Sequence, residues 1–411
     1  MAAGLGHGLT ALWAGPRPSL LARLLQPLSW VYAGLARLHK AAYSNGLLQR
    51  QRAPLPLLVV GNLVAGGAGK TPTVIALVGL LRQQGWTPGV ISRGHGRRGR
   101  GVMTVQRSSN AAEVGDEPLL IHLRTGAPVA VGADRGAAAR ALCAAHPALD
   151  ILLADDGLQH HRLRHDMAVL VFDERGAGNG LRLPAGPLRE ALPAHLPPRT
   201  LVLYNAAQAS TALPGLTGQR RLAGVQPLAD WWAGLAVDAT SGIANSGIAN
   251  STISDGSISS RTNSNSTISS RTNSSSTETS STETRPTDAS STDKGWAALR
   301  GRPLLAAAGL ARPEPFFAML EAQGLHIRRL PLADHQAFNP LPWPADTAEL
   351  IVTEKDAVKL PPAAVGSTRV WVAGLDFLPE PAFAAALRTL CAPFKPKHPQ
   401  AHAKTRPNTA C

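Results

Sequence analysis

The chain has 411 residues, 44% of them hydrophobic, which is enough for about two to three domains with cores of their own. A formal net charge of +14 favours anionic partners, but aromatics are only 4% and no basic–aromatic interleaving offers a platform for stacked bases, which argues against nucleic acid. Cys143, Cys391 and Cys411 lie far apart without CxxC spacing, which argues against structural zinc and for a reducing compartment.

No basic stretch precedes the first apolar residues, and Pro16, Pro18 and Pro27 interrupt the next apolar stretch, so no cleavable signal is expected. No charge-free run of about 20 residues predicts a membrane span. Residues 20 to 38 place Leu21, Leu24, Leu25, Leu28, Val31, Leu35 and Leu38 at helical spacing, with Arg23, Arg37 and Lys40 as charges. Two readings stand: a helix lying in a membrane interface, or an amphipathic helix packed on its own domain.

Residues 55 to 77, LPLLVVGNLVAGGAGKTPTVIAL, read as strand, phosphate loop and helix. The apolar run Leu55 to Val60 is too short for a helix core. Glycines then let backbone N–H groups approach a polyphosphate, Lys70 meets its outer phosphates, and the Thr71 hydroxyl ligates magnesium at a helix N-terminus. Val64 stands where GxxxxGK[ST] has its first glycine, so Gly66 and Gly67 must supply the flexibility. A glycine turn that binds nothing is the plain alternative.

Short apolar runs come next at Pro88 to Ser92, Pro128 to Gly132, Asp150 to Ala154 and Met167 to Phe172, alternating with helix-like stretches at 73 to 84 and 134 to 145. The pattern resumes at Leu201 to Tyr204, Pro303 to Ala308, the helix-like Glu314 to Gln323, His326 to Leu330, Leu350 to Thr353 and Val370 to Ala373. Such alternation predicts an α/β fold of the P-loop NTPase type, a mostly parallel sheet with helices on both faces, plus a second, smaller α/β domain. The expected division is 1–40 as an amphipathic membrane-associating segment, 41–200 as the phosphate-loop domain and 201–392 as the second domain. Residues 240–294, rich in Ser, Thr and Asn with tandem SGIAN and ISSRTNS repeats, are expected to be a disordered insert in it, and 393–411 a disordered tail.

ILLADDGLQHH, 151 to 161, sets Asp155 and Asp156 at the end of an apolar strand. A phosphate-loop protein needs a carboxylate for its metal there, and strand ends of a parallel sheet border the ligand crevice; Asp-Asp-Gly is also a common turn. Gln159 and His160 lie within reach. Phosphoryl transfer to an alcohol further needs a group to take the hydroxyl proton, and GDEP offers Asp116 while ADHQAF offers Asp334 and His335. Each alone is weak: Asp116 reads equally well as a helix N-cap, and a lone histidine is more often structural. Arg93, Arg189 and Glu190 are potential phosphate or metal contacts. TEKDAVKL, 353 to 360, reads as a strand exit into a helix.

In this order, VGNLVAGGAGKTP, SRGHG, GDEP, GADR, ADDGLQHHRLRHD, GNGLRLPAGPLRE, ADHQAF and TEKDAVKL resemble the tetraacyldisaccharide 4'-kinases of lipid A biosynthesis, from about residue 15 to 390 without the serine-rich insert. The resemblance implies an ATP- and Mg2+-dependent enzyme that phosphorylates the 4'-hydroxyl of an acylated disaccharide 1-phosphate lipid, at the cytoplasmic face of the Gram-negative inner membrane. It implies that Val64, Ala65, Gly66, Gly67, Ala68, Gly69, Lys70 and Thr71, with Gln159 and His160, hold ATP. Thr71, Asp155 and Glu190 would serve the metal, and Asp116, His335, Lys70 and Asp156 catalysis. Val64 matches the family's own variant loop, whereas His95 stands where the family more often has tyrosine. A monomer in peripheral contact with the membrane is expected. The competing readings are a membrane-associated nucleotide hydrolase or switch, and a nucleotide-binding interaction protein.

Overall fold

The structure, a computed structural model, describes residues 17–235 and 295–396 together with Trp13 and Gly15. The 240–294 insert and most of the 393–411 tail lie outside the described residues.

Strands β2 (Leu57–Gly61), β3 (Pro88–Ser92), β6 (Ile151–Asp155) and β8 (Met167–Asp173) are buried along their whole length. Unbroken apolar strands of this kind belong in the middle of a parallel sheet covered on both faces. The remaining strands are β1 (Gln51–Arg52), β4 (Met103–Thr104), β5 (Val129–Val131), β7 (Leu163–Arg164), β9 (Thr200–Asn205), β10 (Leu216–Pro227), β11 (Leu304–Ala308), β12 (Ile327–Pro331), β13 (Glu349–Thr353) and β14 (Arg369–Pro379). One twelve-stranded sheet runs in the order β12-β11-β13-β14-β10-β9-β8-β2-β6-β3-β5-β4, with β1 and β7 as a separate pair. All neighbours in the large sheet are parallel except β4–β5 and β10–β14.

Alternation along β2 divides the core. Leu58 and Val60 join the cluster under α3 (Lys70–Gln83) and α5 (Asp116–Thr125), while Leu57 and Val59 join the one under α6 (Arg135–Ala145). The short helices α4 (Ala111–Val114) and α7 (Leu228–Ala233) lead into α5 and out of β10. The α3 pattern of Val74, Leu77, Val78 and Leu81 supplies the i, i+3, i+4, i+7 stripe that binds it to the sheet. A smaller cluster in the second half packs Phe316, Phe317 and Leu320 of α8 (Glu314–Ala322) on Ala306 and Ala308 of β11.

The first core does not stop at the expected boundary. It continues through Val352 and Val372 to Phe383 and Leu387 of α10 (Pro381–Cys391). Strand β9 lies along β8 in parallel register from Thr200 to Asn205, so a limit set at residue 200 falls within the first run of parallel strands. The direction of the strands reverses later, at the β10–β14 pair.

Residues 20 to 38 form parts of two helices, α1 (Leu20–Leu24) and α2 (Gln26–Ser44). They bury Ala22, Ser29 and Ala33 and leave Leu21, Leu24, Leu28, Trp30, Val31, Leu35 and Leu38 more than half exposed. Ser29 Oγ fixes this orientation by donating to Arg182 O at 2.9 Å and accepting from Ala185 N–H at 3.1 Å. The leucine stripe therefore faces away from the protein.

Candidate active site

Strand β2 ends in Gly61-Asn62, and the chain turns through Val64 to Gly69 before α3 begins at Lys70. The loop is held from several sides. Val64 is buried and bridges Leu188, Ala65 N–H donates to Pro187 O at 2.7 Å, and Asn62 Nδ2 donates to Gly66 O at 3.2 Å. Arg175 donates to Gly67 O at 3.2 Å and Asn205 Nδ2 to Ala68 O at 3.3 Å. Gly69 caps α3 with φ +81°, a left-handed conformation that glycine adopts without Cβ strain. Lys70 Nζ lies 3.5 Å from Asn62 Oδ1 and 3.7 Å from Asp156 Oδ2, and Thr71 is buried in the first turn.

Register places Val60 beside Asp155, so the loop and the acidic pair leave the sheet at the same edge. Asp155 is buried, and its Oδ1 has no hydrogen-bond partner. Desolvation raises its pKa to about 7, Glu117 and Asp156 adding to the rise while Lys70 and Arg135 oppose it. A buried orphan acceptor beside a phosphate loop suits a hydrated cation, so Asp155 and the Thr71 hydroxyl fit magnesium. Asp156, at φ +50°, turns outward; Arg189 meets its two carboxylate oxygens at 3.3 and 3.4 Å, and Arg135 donates to its backbone carbonyl at 2.8 Å. Gln159 bridges Asn62 O and Glu190, and Glu190 pairs with Lys40 of α2 at 3.2 Å. His160 Nε2 is buried without a partner, and burial lowers its pKa to about 4, so it is neutral at physiological pH. Among the described residues, no three His, Cys, Asp or Glu side chains form a metal cage. Magnesium held by one or two carboxylates and by phosphate oxygens needs none.

The third group comes from both halves of the chain. His335 Nδ1 lies 2.8 Å from Asp116 Oδ2 although 219 positions separate them. Asp116 is the first residue of α5, and Gly115, not Asp116, takes the cap position. Its other oxygen accepts from Glu117 N–H at 2.9 Å. Burial works to raise the Asp116 pKa, but the His335 bond and the charges of Lys355, His335 and Lys359 prevail and lower it. The Asp116 bond raises His335 against burial. Lys355 of α9 (Glu354–Ala357), a residue to which the sequence pattern assigns no role, braces the pair: Nζ meets Glu117 at 3.2 Å and Asp334 at 2.8 Å. The charges of both Lys70 and Glu117 act on Asp155, so the head of α5 lies on the same side of the sheet as the loop and the acidic pair.

A parallel sheet that delivers a lysine-bearing glycine loop and a strand-end carboxylate to one edge makes this chain a phosphate-loop nucleotide-binding protein by class. The family description for tetraacyldisaccharide-1-P 4'-kinase matches residues 21–252 and 249–392, and the chain belongs to that family. It is 46% identical to the tetraacyldisaccharide 4'-kinase of Methylibium petroleiphilum over 95% of this chain and 94% of that one. The enzyme of the same name from Leptothrix cholodnii is 45% identical over 87% and 88% of the two chains. A crystal structure of LpxK from Aquifex aeolicus in complex with ATP shares the fold, with a TM-score of 0.61, 21% identity and coverage of 90% of this chain and 99% of that one.

Proposed function

We infer that the protein transfers the γ-phosphate of ATP to the 4'-hydroxyl of a tetraacyldisaccharide 1-phosphate. One observation carries this reading beyond nucleotide hydrolysis: an Asp116–His335 pair assembled at 2.8 Å from distant segments, its neighbour Glu117 close enough to Asp155 for their charges to interact. A hydrolase or switch has less need of a second half of the chain to complete its site.

In this mechanism the backbone amides of residues 64 to 71 and the Lys70 ammonium hold the triphosphate. Thr71 and Asp155 would hold magnesium, which would supply positive charge against the phosphate chain. Asp156, gripped by Arg189, keeps Lys70 directed into the crevice, while Gln159, His160 and Glu190 shape its wall. Asp116 has one oxygen engaged by its neighbour's N–H and the other by His335, so His335, the more exposed of the two, presents Nε2, which lies 3.8 Å from Asp334 Oδ1, to the sugar hydroxyl. The hydroxyl proton passes to neutral His335, the sugar oxygen bonds to the γ phosphorus, and the β–γ bridging bond breaks to leave ADP. Positioning and preorganised charge supply the rate enhancement.

The exposed apolar stripe of α1 and α2 supports peripheral contact with the inner-membrane surface, from which an acylated acceptor would be drawn. No helix among the described residues is long and apolar enough to cross a membrane. Purified protein with labelled ATP, with and without the acylated disaccharide, tests the reading. Label should pass to the lipid, and lipid-independent phosphate release alone would refute the kinase assignment.

A further inference from the structure

Arg220, on β10, is a half-buried cation without an ion pair among the described residues. Its Nε is buried without a partner, and no hydrogen bond or ion pair engages the guanidinium among the described residues. Its neighbours are already committed: Arg175 is paired with Asp173 at 2.6 Å, and Arg312 with Glu174. Three arginine charges thus act on two carboxylates, leaving one positive charge in excess. Burial lowers the Arg220 pKa from the usual arginine value, with Glu174 and Asp173 acting against the drop. An arginine stays charged regardless, so a partly desolvated guanidinium in this position favours an anion beside it.

Its position says which anion. The guanidinium packs on the phosphate loop so closely that a Cβ on Gly69 would lie 2.6 Å from its terminal nitrogen, one residue before Lys70. We propose that Arg220 is a second cation for the phosphate chain of the nucleotide, delivered in cis by the strand that leads into the second half of the protein. This rests on the loop being an ATP site. It adds to Lys70 a planar fork able to take two phosphate oxygens at once.

The test is equilibrium binding of Mg·ATP and Mg·ADP to the full chain carrying Arg220→Met, Arg220→Lys or Arg221→Met. Arg221 is the control, since successive strand residues point to opposite faces. The expected result is an affinity about 10- to 100-fold weaker in Arg220→Met, an intermediate loss in Arg220→Lys, and none in Arg221→Met. The loss should shrink at high KCl, where screening weakens the missing ion pair. Wild-type affinity in a folded Arg220→Met protein overturns the proposal. So does a loss independent of salt, which would assign the side chain to the base. If Arg220→Met does not fold, Arg220→Lys decides, and unchanged affinity in it overturns the two-oxygen fork. A wild-type protein that binds ATP but phosphorylates no lipid would instead defeat the kinase reading and leave this one intact.

Discussion

Replacing Asp116 by asparagine keeps the shape of the side chain and removes its charge, which isolates what the carboxylate does for His335. The carboxylate accepts from Nδ1 at 2.8 Å, so the proton sits on that nitrogen and the other is free to receive one from the acceptor hydroxyl. An asparagine can offer an N–H to Nδ1 and stabilise the opposite tautomer, in which the free nitrogen is already protonated. General-base assistance is worth about 10²- to 10⁴-fold, or roughly 3 to 5.5 kcal/mol in the barrier. A kcat loss in that range is expected in transfer of labelled phosphate to the acylated disaccharide. The pH profile gives a second readout. His335 is raised above its ordinary value of 6.5 mainly by the Asp116 bond, with burial and Lys355 opposing and Asp334 assisting. A raised histidine is protonated, and useless as a base, below its folded pKa, so wild-type activity should climb as pH rises through a midpoint above 6.5. Asp116→Asn removes the largest raising cause and leaves burial and Lys355, so its residual activity should have an acid limb at lower pH. His95, whose ring centroid is 5.4 Å from that of His335, and Lys359, whose charge acts on Asp116, remain in both proteins. His335→Asn should cost about as much, and the double variant little more, because the two residues act as a unit. Full activity in Asp116→Asn, or an acid limb moved upward, would refute the assignment.

Gly69→Ala should weaken ATP binding by at least about tenfold, since a left-handed residue costs a Cβ-bearing side chain roughly 1–2 kcal/mol and the new methyl would collide with Asn205 and Arg220. Arg124→Met strips the partner from Glu354 and Asp376, each 2.5 Å away, and should lower unfolding stability by about 3 kcal/mol in urea titrations. A loss under about 1 kcal/mol would mean that Trp231 and Leu375, which also donate to Glu354, suffice. Changing Leu21, Leu24 and Leu35 together to serine should abolish co-sedimentation with anionic vesicles while leaving the unfolding midpoint nearly unchanged. A large drop in stability would instead mark the stripe as covered core.

The first half of the fold was legible because its strands are buried on both faces and read as unbroken apolar runs; β3, β6 and β8 fall within a residue of the predicted ranges. Strand β10 escaped notice because LTGQRRLAGVQP has no such run. It is only partly buried and gains its order from a long antiparallel pairing with β14, a tertiary fact with no local signal. Periodicity identified the α1–α2 stripe but not its direction, which depends on Ser29 bonding a loop more than 150 residues away. The proximity of Asp116 to His335 follows only from topology. The roles of Lys355 and Arg220 were invisible for the same reason, since burial turns a lysine or arginine that looks solvated in sequence into a fixed charge.

The reversal at β10–β14 explains how a site can draw on both halves. Within a parallel run every carboxyl-end loop opens on one edge, so a second run of opposite direction, kept flat, would open its loops away from the phosphate loop. The joining strands are the longest in the sheet, twelve and eleven residues, and carry a register shift between Leu222 and Gly224. Sheets in general twist by about 20–25° per strand, and more at a bulge, which is the means by which one run can turn across another. His335, just past β12, meets Asp116 at the head of α5. The same ribbon presents Arg220 to the phosphate loop and Asp376 to Arg124. The proposed nucleotide contact of Arg220 and the ion pair that ties Arg124 to the second run therefore share one long pair of strands.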